Sequence, residues 1–196
     1  MEKLLLATRN SHKTREFADI LGDEFAVRDL TEESQLPVTQ ETGVTFEENA
    51  ILKAVEASRH FADDVVGDDS GLEVDALNGA PGVFSARYAS EGATDAENIA
   101  KLLAALLNYD ATSPAARFRC VLALARRGKV LGVFEGAVEG IIVPAPRGAT
   151  GFGYDPVFQP RGFDRTFGEL SAAEKNKMSH RARAIESLRA ALIAET

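Results

Sequence analysis

The chain has 196 residues, 45% of them hydrophobic, which is enough for one domain with a sizeable core. Its 30 acids against 22 lysines and arginines give a net charge of −8, which argues against a groove that tracks the phosphates of bulk DNA or RNA, because such grooves rely on excess cations. The single cysteine, Cys120, excludes an intrachain disulfide and a cysteine-rich zinc site and fits a reducing cytosol. No apolar run approaches the roughly 18 residues of a membrane span, and Leu4 to Ala7 is too short for the core of a signal peptide. The expectation is a cytoplasmic protein that binds neither a membrane nor a nucleic-acid polymer.

Lys3 to Ala7, the loop Thr8-Arg9-Asn10-Ser11, and Phe17, Ile20 and Leu21 at helical spacing predict strand, loop and helix. The free N–H groups at such a helix start make an anion site, with Lys13 in the first turn. Equally, Asn10 or Ser11 only caps the helix and Lys13 is only solvated. Phe25 to Leu30 reads as a second strand and Thr31 to Gln40 as a loop. Thr45 and Glu48 have capping-box spacing, and Phe46, Ala50, Ala54, Ala57 and Phe61 trace an apolar stripe on a helix reaching about Ala62. Glu41 lies beside its N-terminus, where it either stabilises the helix dipole, by about 0.3–1 kcal/mol, or joins Asp68 and Asp69 in holding a hard cation.

Val65 and Val66 suit a buried strand that ends in Asp68-Asp69-Ser70-Gly71, with Gly71 permitting a positive-φ turn and Leu72 and Val74 resuming a half-buried strand. Acids at a strand end sit where open α/β sheets bind ligands; the alternative is an Asp-rich turn bonded to its own backbone. Gly79 to Gly82 is a turn, and Val83 to Tyr88, bearing Ser85 and Arg87, reads as extended. A second capping box, Thr94 with Glu97, starts a helix whose apolar face carries Ile99, Leu102, Leu103, Leu106 and Leu107. Ala116 to Arg126 and Val130 to Val143 form a predicted β-hairpin turning near Gly128, with Cys120 on its apolar face as core packing.

Gly151-Phe152-Gly153-Tyr154-Asp155-Pro156 continues a loop that precedes the short strand Val157-Phe158. Phe152, framed by glycines, either tucks into the core or stacks on a nucleobase for about 1–3 kcal/mol, with Asp155 accepting from a ring N–H. Ser171 and Glu174 cap the last helical region, which docks through Ile185, Leu188 and Leu192. Between them Lys175, Lys177, Arg181 and Arg183 stand without an acid, as an anion contact or a solvated basic face.

Carboxylates for a metal and for orienting or deprotonating water, an anion site with Lys13, an aromatic platform and a basic segment are the parts needed to hydrolyse a nucleoside triphosphate. The chain has no G-x-x-x-x-G-K-[ST], G-x-G-x-x-G, C-x-x-C or H-E-x-x-H, so a phosphate loop of the usual kind is excluded. The segments ATRNSHK (7–13), ETGVTFEENAILKA (41–54), DDSGLEVDALNGAPGVFSARY (68–88), GFGYDPVF (151–158) and ELSAAEKNKMSHRARA (169–184) closely resemble the inosine triphosphate pyrophosphatase family, in that family's order.

The resemblance implies an α/β fold in which a mixed twisted sheet with flanking helices builds one elongated, two-lobed domain over residues 1–196, with a central active-site cleft. It further implies a homodimeric, Mg2+-dependent enzyme that converts the deaminated purine nucleotides ITP, dITP and XTP to the monophosphate plus pyrophosphate and so cleanses the nucleotide pool. Carried over by position, Thr8, Arg9, Asn10, Ser11, His12 and Lys13 would bind phosphate. Asp69 would be catalytic base and metal contact, with Ser70 adjacent to substrate. Phe152, Gly153, Tyr154 and Asp155 would hold the base, Lys175 would reach substrate, and His180 with Arg181 would read the purine edge. Many relatives place two acids before the Thr-Gly of the second segment, whereas here the pair is Gln40-Glu41, so a metal site of Asp69, Glu41 and Asp68 would rest on Glu41 there. Donors aimed at a 6-oxo group would be left unpaired against adenine, which can discriminate by as much as about 10⁴–10⁵. Two other readings stand beside this one: a Maf-type pyrophosphatase acting on pyrimidine or modified nucleotides, and a nucleotide sensor without catalysis.

Overall fold

In the first strand, β1 (Glu2–Leu6), Leu4, Leu5 and Leu6 face alternate ways, and all three are buried. Leu4 and Leu6 enter one apolar cluster with Phe17 and Leu21 of helix α1 (Ser11–Leu21), while Leu5 and Ala7 enter another with Leu30 and Ala57. A strand covered on both faces belongs inside a parallel sheet, and β1 pairs in parallel with β2 (Phe25–Asp29) on one side and β3 (Asp64–Val74) on the other. Helix α2 (Phe46–Ser58) supplies Ala57 to the second cluster. The remaining elements are α3 (Asp95–Leu106), β4 (Ala115–Arg126), β5 (Lys129–Ile142), β6 (Phe158–Pro160), α4 (Ala172–Lys175) and α5 (His180–Ala194). The computed structural model describes residues 2–107, 109 and 113–194. Its strands follow the order β2-β1-β3-β4-β5-β6, with β5 and β6 antiparallel, so the class is mixed α/β with flanking helices, as expected.

The chain packs as two compact units: Met1–Asp69 with Cys120–Gly136 and Arg181–Thr196, and Ser70–Arg119 with Ala137–His180. The first is layered as described, with Cys120, Leu122 and Leu124 of β4 and Ile185 and Leu188 of α5 joining the cluster around Phe17. The second gathers Leu72, Val74, Ile99, Leu102 and Phe118 with Tyr154, Phe158 and Phe167. Phe118, Phe158 and Phe167 form a triangle of rings with centroids 4.7, 5.3 and 6.1 Å apart.

Local signals placed most boundaries. Asn10 caps α1, and Thr94 with Glu97 and Ser171 with Glu174 form complete capping boxes. The two-residue turn Arg127-Gly128 has both φ angles positive, as a tight hairpin requires. Three expectations need correction. Asp68 to Gly71 is no turn: β3 runs through it as one extended strand, and Gly71 is not among the positive-φ glycines. Val83 to Tyr88 is not extended; Gly82–Arg87 is a 3-10 helix in which the buried Ser85 hydroxyl donates to the Gly82 carbonyl and accepts from the Leu72 N–H. Helix α2 stops at Ser58, short of Ala62. Separately, Met178 and Ser179 lie in a turn between α4 and α5 that divides the last helical region.

Candidate active site

The parallel register ends with Leu6 opposite Val66, and β3 continues beyond it. Asp68 and Asp69 therefore lie just past the C-terminal end of β1, where the chain leaves for α1, although they are inside β3 and not at its end. Strand alternation separates the two acids. Asp68 shares the parity of Val66 and faces the Phe17 cluster; Asp69 shares that of Val65 and faces α2.

On the first side, Asp68 is buried and receives the Lys13 ammonium, the Arg181 Nε at 2.8 Å and the Cys120 thiol at 3.5 Å. Arg181, itself buried, also pairs with Glu16 through Nη1. Burial by itself would raise Asp68, but Arg181 and Lys13 outweigh it and hold the carboxyl well below its usual range. Burial, and then the Asp68 charge, push the Cys120 thiol well above its ordinary value, so Cys120 is a packed thiol and not a nucleophile.

On the second side, Asp69 accepts from Lys53 Nζ at 2.8 Å and from Asn49 Nδ2 at 3.2 Å. Lys53 also reaches Glu41 at 2.9 Å and the Asp68 carbonyl at 3.1 Å. Burial raises the Asp69 pKa above the usual carboxylate value; Lys53 opposes the shift without cancelling it. Burial would lower Lys53, yet Asp69 and Glu41 hold it raised and charged. The two acids are thus chemically distinct: Asp68 is locked as an anion, whereas Asp69 has gained proton affinity.

Neither Asn49 nor Lys53 was singled out by the sequence, although both leave a signal. They stand at i and i+4, adjoining Ala50 and Ala54 on the buried side of α2. Two polar residues inside an apolar stripe mark a helix face turned toward something charged. Gly67 brings that face close: a Cβ there would stand 2.1 Å from the Ala50 carbonyl oxygen. Glu16 is a second omission, a buried acid next to Phe17 in α1.

The donor set suits a hard cation at one place. Glu41 and Asp69 converge on the Lys53 ammonium, a positive charge held by two carboxylates, and oxygen ligands of this kind are what Mg2+ takes. Asp68 turns to Lys13 and Arg181 instead, and among the described residues no three His, Cys, Asp or Glu side chains gather for a metal. Alternation along β3 is the reason the expected three acids do not meet.

The segment 8–13 forms the start of α1. Asn10 Oδ1 accepts from the His12 and Lys13 N–H groups, and Thr8 Oγ1 accepts from the Asn10 N–H. Arg9 turns to the Glu33 and Leu36 carbonyls, while Ser11 and His12 are exposed. In the other unit, Phe152, Gly153 and Asp155 form one structure with Lys175. Asp155 Oδ2 accepts from Lys175 Nζ at 2.6 Å and from the Phe152 N–H at 3.0 Å, and the ammonium lies 4.8 Å from the Phe152 ring centroid. Tyr154 is buried and its hydroxyl donates to the Ser85 carbonyl, so this side chain supports the loop from within. His180 is buried with its ring stacked on Phe118 at 4.8 Å, and Ser70 is half-buried in β3.

The chain is similar to known proteins in sequence and in fold. The Ham1 family pattern matches residues 4–191. A dITP/XTP pyrophosphatase of Bacillus licheniformis is 47% identical over 193 residues, covering 98% of both chains. The protein of the same name from Bacillus subtilis is 46% identical over 189 residues, 96% of each chain. Among solved structures, a HAM1 protein from Coxiella burnetii superposes with a TM-score of 0.88 at 44% identity, covering 99% of this chain and 100% of its own. The Staphylococcus aureus Ham1 protein does so at 0.87 and 41%, with full coverage of both. Sequence and fold agree over the whole length, and the chain belongs to the Ham1 family.

Proposed function

We infer that this chain is a nucleoside triphosphate pyrophosphatase that hydrolyses deaminated purine nucleotides, dITP, XTP and ITP, to the monophosphate and pyrophosphate. The observation that carries the reading is Asp69: a buried carboxylate with raised proton affinity, fixed by Lys53 and Asn49. Such a group accepts a proton from an attacking water more readily than an ordinary aspartate. Lys13 and Lys53 supply positive charge for phosphate oxygens, and the start of α1 adds N–H donors. Mg2+, held by Glu41 and Asp69, would polarise the phosphoryl group and offset its charge. Phe152 offers a face for the base, beside Lys175 and Asp155. The curated relatives bear the dITP/XTP name, which favours this substrate class over the pyrimidine or modified nucleotides of a Maf-type enzyme. A cytoplasmic homodimer completes the proposal.

The test is hydrolysis of ITP, XTP, GTP, ATP and dTTP with Mg2+, products being identified by chromatography. Monophosphate and pyrophosphate from ITP and XTP, with ATP and GTP nearly untouched, is the expected outcome. Asp69→Asn should lose roughly 10²–10⁴-fold in kcat with the fold intact by circular dichroism. Orthophosphate as product, a preference for dTTP, or an active Asp69→Asn protein would overturn it.

A further inference from the structure

The geometry points to Asp95 as a positioning residue for the base-stacking loop, a role that rests on the pyrophosphatase reading above. The loop Gly151 to Asp155 is suspended from two carboxylates. One, Asp155, lies within the loop and accepts the Phe152 N–H. The other comes from α3: Asp95 Oδ2 accepts the Gly153 N–H at 2.7 Å, across 58 residues of sequence.

Asp95 is the α3 side chain that ties the helix to the loop backbone. Between helix and loop lies a cavity of about 530 Å3, lined by Ile99 and Leu103 on one side and Pro146, Phe152 and Pro156 on the other. Close packing fixes loops by interdigitated side chains, and along this cavity helix and loop leave space between them. The hydrogen bond therefore sets how far the loop stands from α3, and so where the Phe152 ring lies relative to Lys175. Asp95 is available because α3 does not need it as a cap: Thr94 and Glu97 already close the capping box. Gly151 and Gly153 both have positive φ, at 77° and 61°, so the flanking backbone is held in a conformation that a second anchor keeps from relaxing.

The experiment compares Asp95→Ala, which removes the acceptor, with Asp95→Asn, which keeps an acceptor oxygen without the charge. Asp95→Ala should raise KM for ITP about three- to tenfold with kcat within about twofold, the scale of one lost hydrogen bond. Asp95→Asn should recover most of that loss. Inhibition by inorganic tripolyphosphate, which has no base, should be the same in all three proteins. Exchange of the Gly153 amide, followed by NMR without substrate, should accelerate about tenfold in Asp95→Ala and stay near wild type in Asp95→Asn. Unchanged exchange and KM in Asp95→Ala, or equal impairment in both variants, would overturn the assignment and leave only a charge at a helix start. A wild-type protein that ignored ITP would overturn the proposed activity, while the exchange rates would still decide the tether.

Discussion

Asp68 and Asp69 are neighbours with the same side chain, and their different chemistry comes from what β3 turns each one toward. Asp68 meets Arg181 and Lys13, and its lowered pKa means that it lends stability above the unfolded carboxylate value of about 3.9, lost as pH falls below it. Asp69 has the opposite sign: burial raises it, so ionising it as pH rises costs folded-state stability, and the same shift supplies proton affinity. Lys53 is the main influence opposing that rise. Replacing it in Lys53→Met should therefore raise Asp69 further and move the acid limb of the kcat/KM profile to higher pH, with activity at neutral pH reduced roughly a hundredfold. Lys53→Arg, which keeps the charge, should leave the limb near its wild-type position. An acid limb that stayed in place in Lys53→Met would show that another group limits the rate on that side. Asp69 stands out in the sequence as half of an acid pair, but its partner does not, because Lys53 sits in α2 and meets Asp69 only when helix and strand pack.

At the scale of elements, what the sequence disclosed follows from the range of each signal. Capping boxes act within four residues, and those at Thr94 and Ser171 were readable for that reason. Gly71 looked like a turn by the same local logic, yet extended pairing in the sheet overrode its conformational freedom. Val83 to Tyr88 alternates like a strand, but Ser85 binds the Leu72 N–H and Tyr154 binds the Ser85 carbonyl, contacts no local pattern encodes. The approach of β3 to α2 is also a tertiary matter, and it concentrates in Gly67. In Gly67→Ala the new methyl would stand 2.1 Å from the Ala50 oxygen and 2.8 Å from the Ala54 nitrogen, both backbone atoms that cannot swing aside. We expect the helix to move outward, a stability loss of about 1–3 kcal/mol by urea titration, and a fall in kcat larger than any change in KM. Wild-type kcat in Gly67→Ala would mean that Lys53 and Asn49 need not be held at their present distances from Asp69.

Over the whole molecule, the two compact units are interleaved along the chain. Three strands contribute to both: β3 passes from one to the other after Asp69, β4 after Arg119 and β5 after Gly136. Neither unit is a continuous stretch that could be cut free, so we propose that they unfold together as one domain. The protein carries its own probes for this. It has no tryptophan, and Tyr88, Tyr109 and Tyr154 all belong to the unit built from Ser70–Arg119 and Ala137–His180. The sole cysteine, Cys120, is buried in the other unit. Tyrosine emission and the labelling of Cys120 by a thiol reagent therefore report on different units of the unmodified protein. Equal urea midpoints by the two probes are expected, because disrupting β3 or β4 in one unit removes residues on the same strand from the other. Cys120 becoming reactive at a urea concentration where tyrosine emission is still native would show that the Asp68 and Asp69 half opens by itself, and the single domain would give way to two.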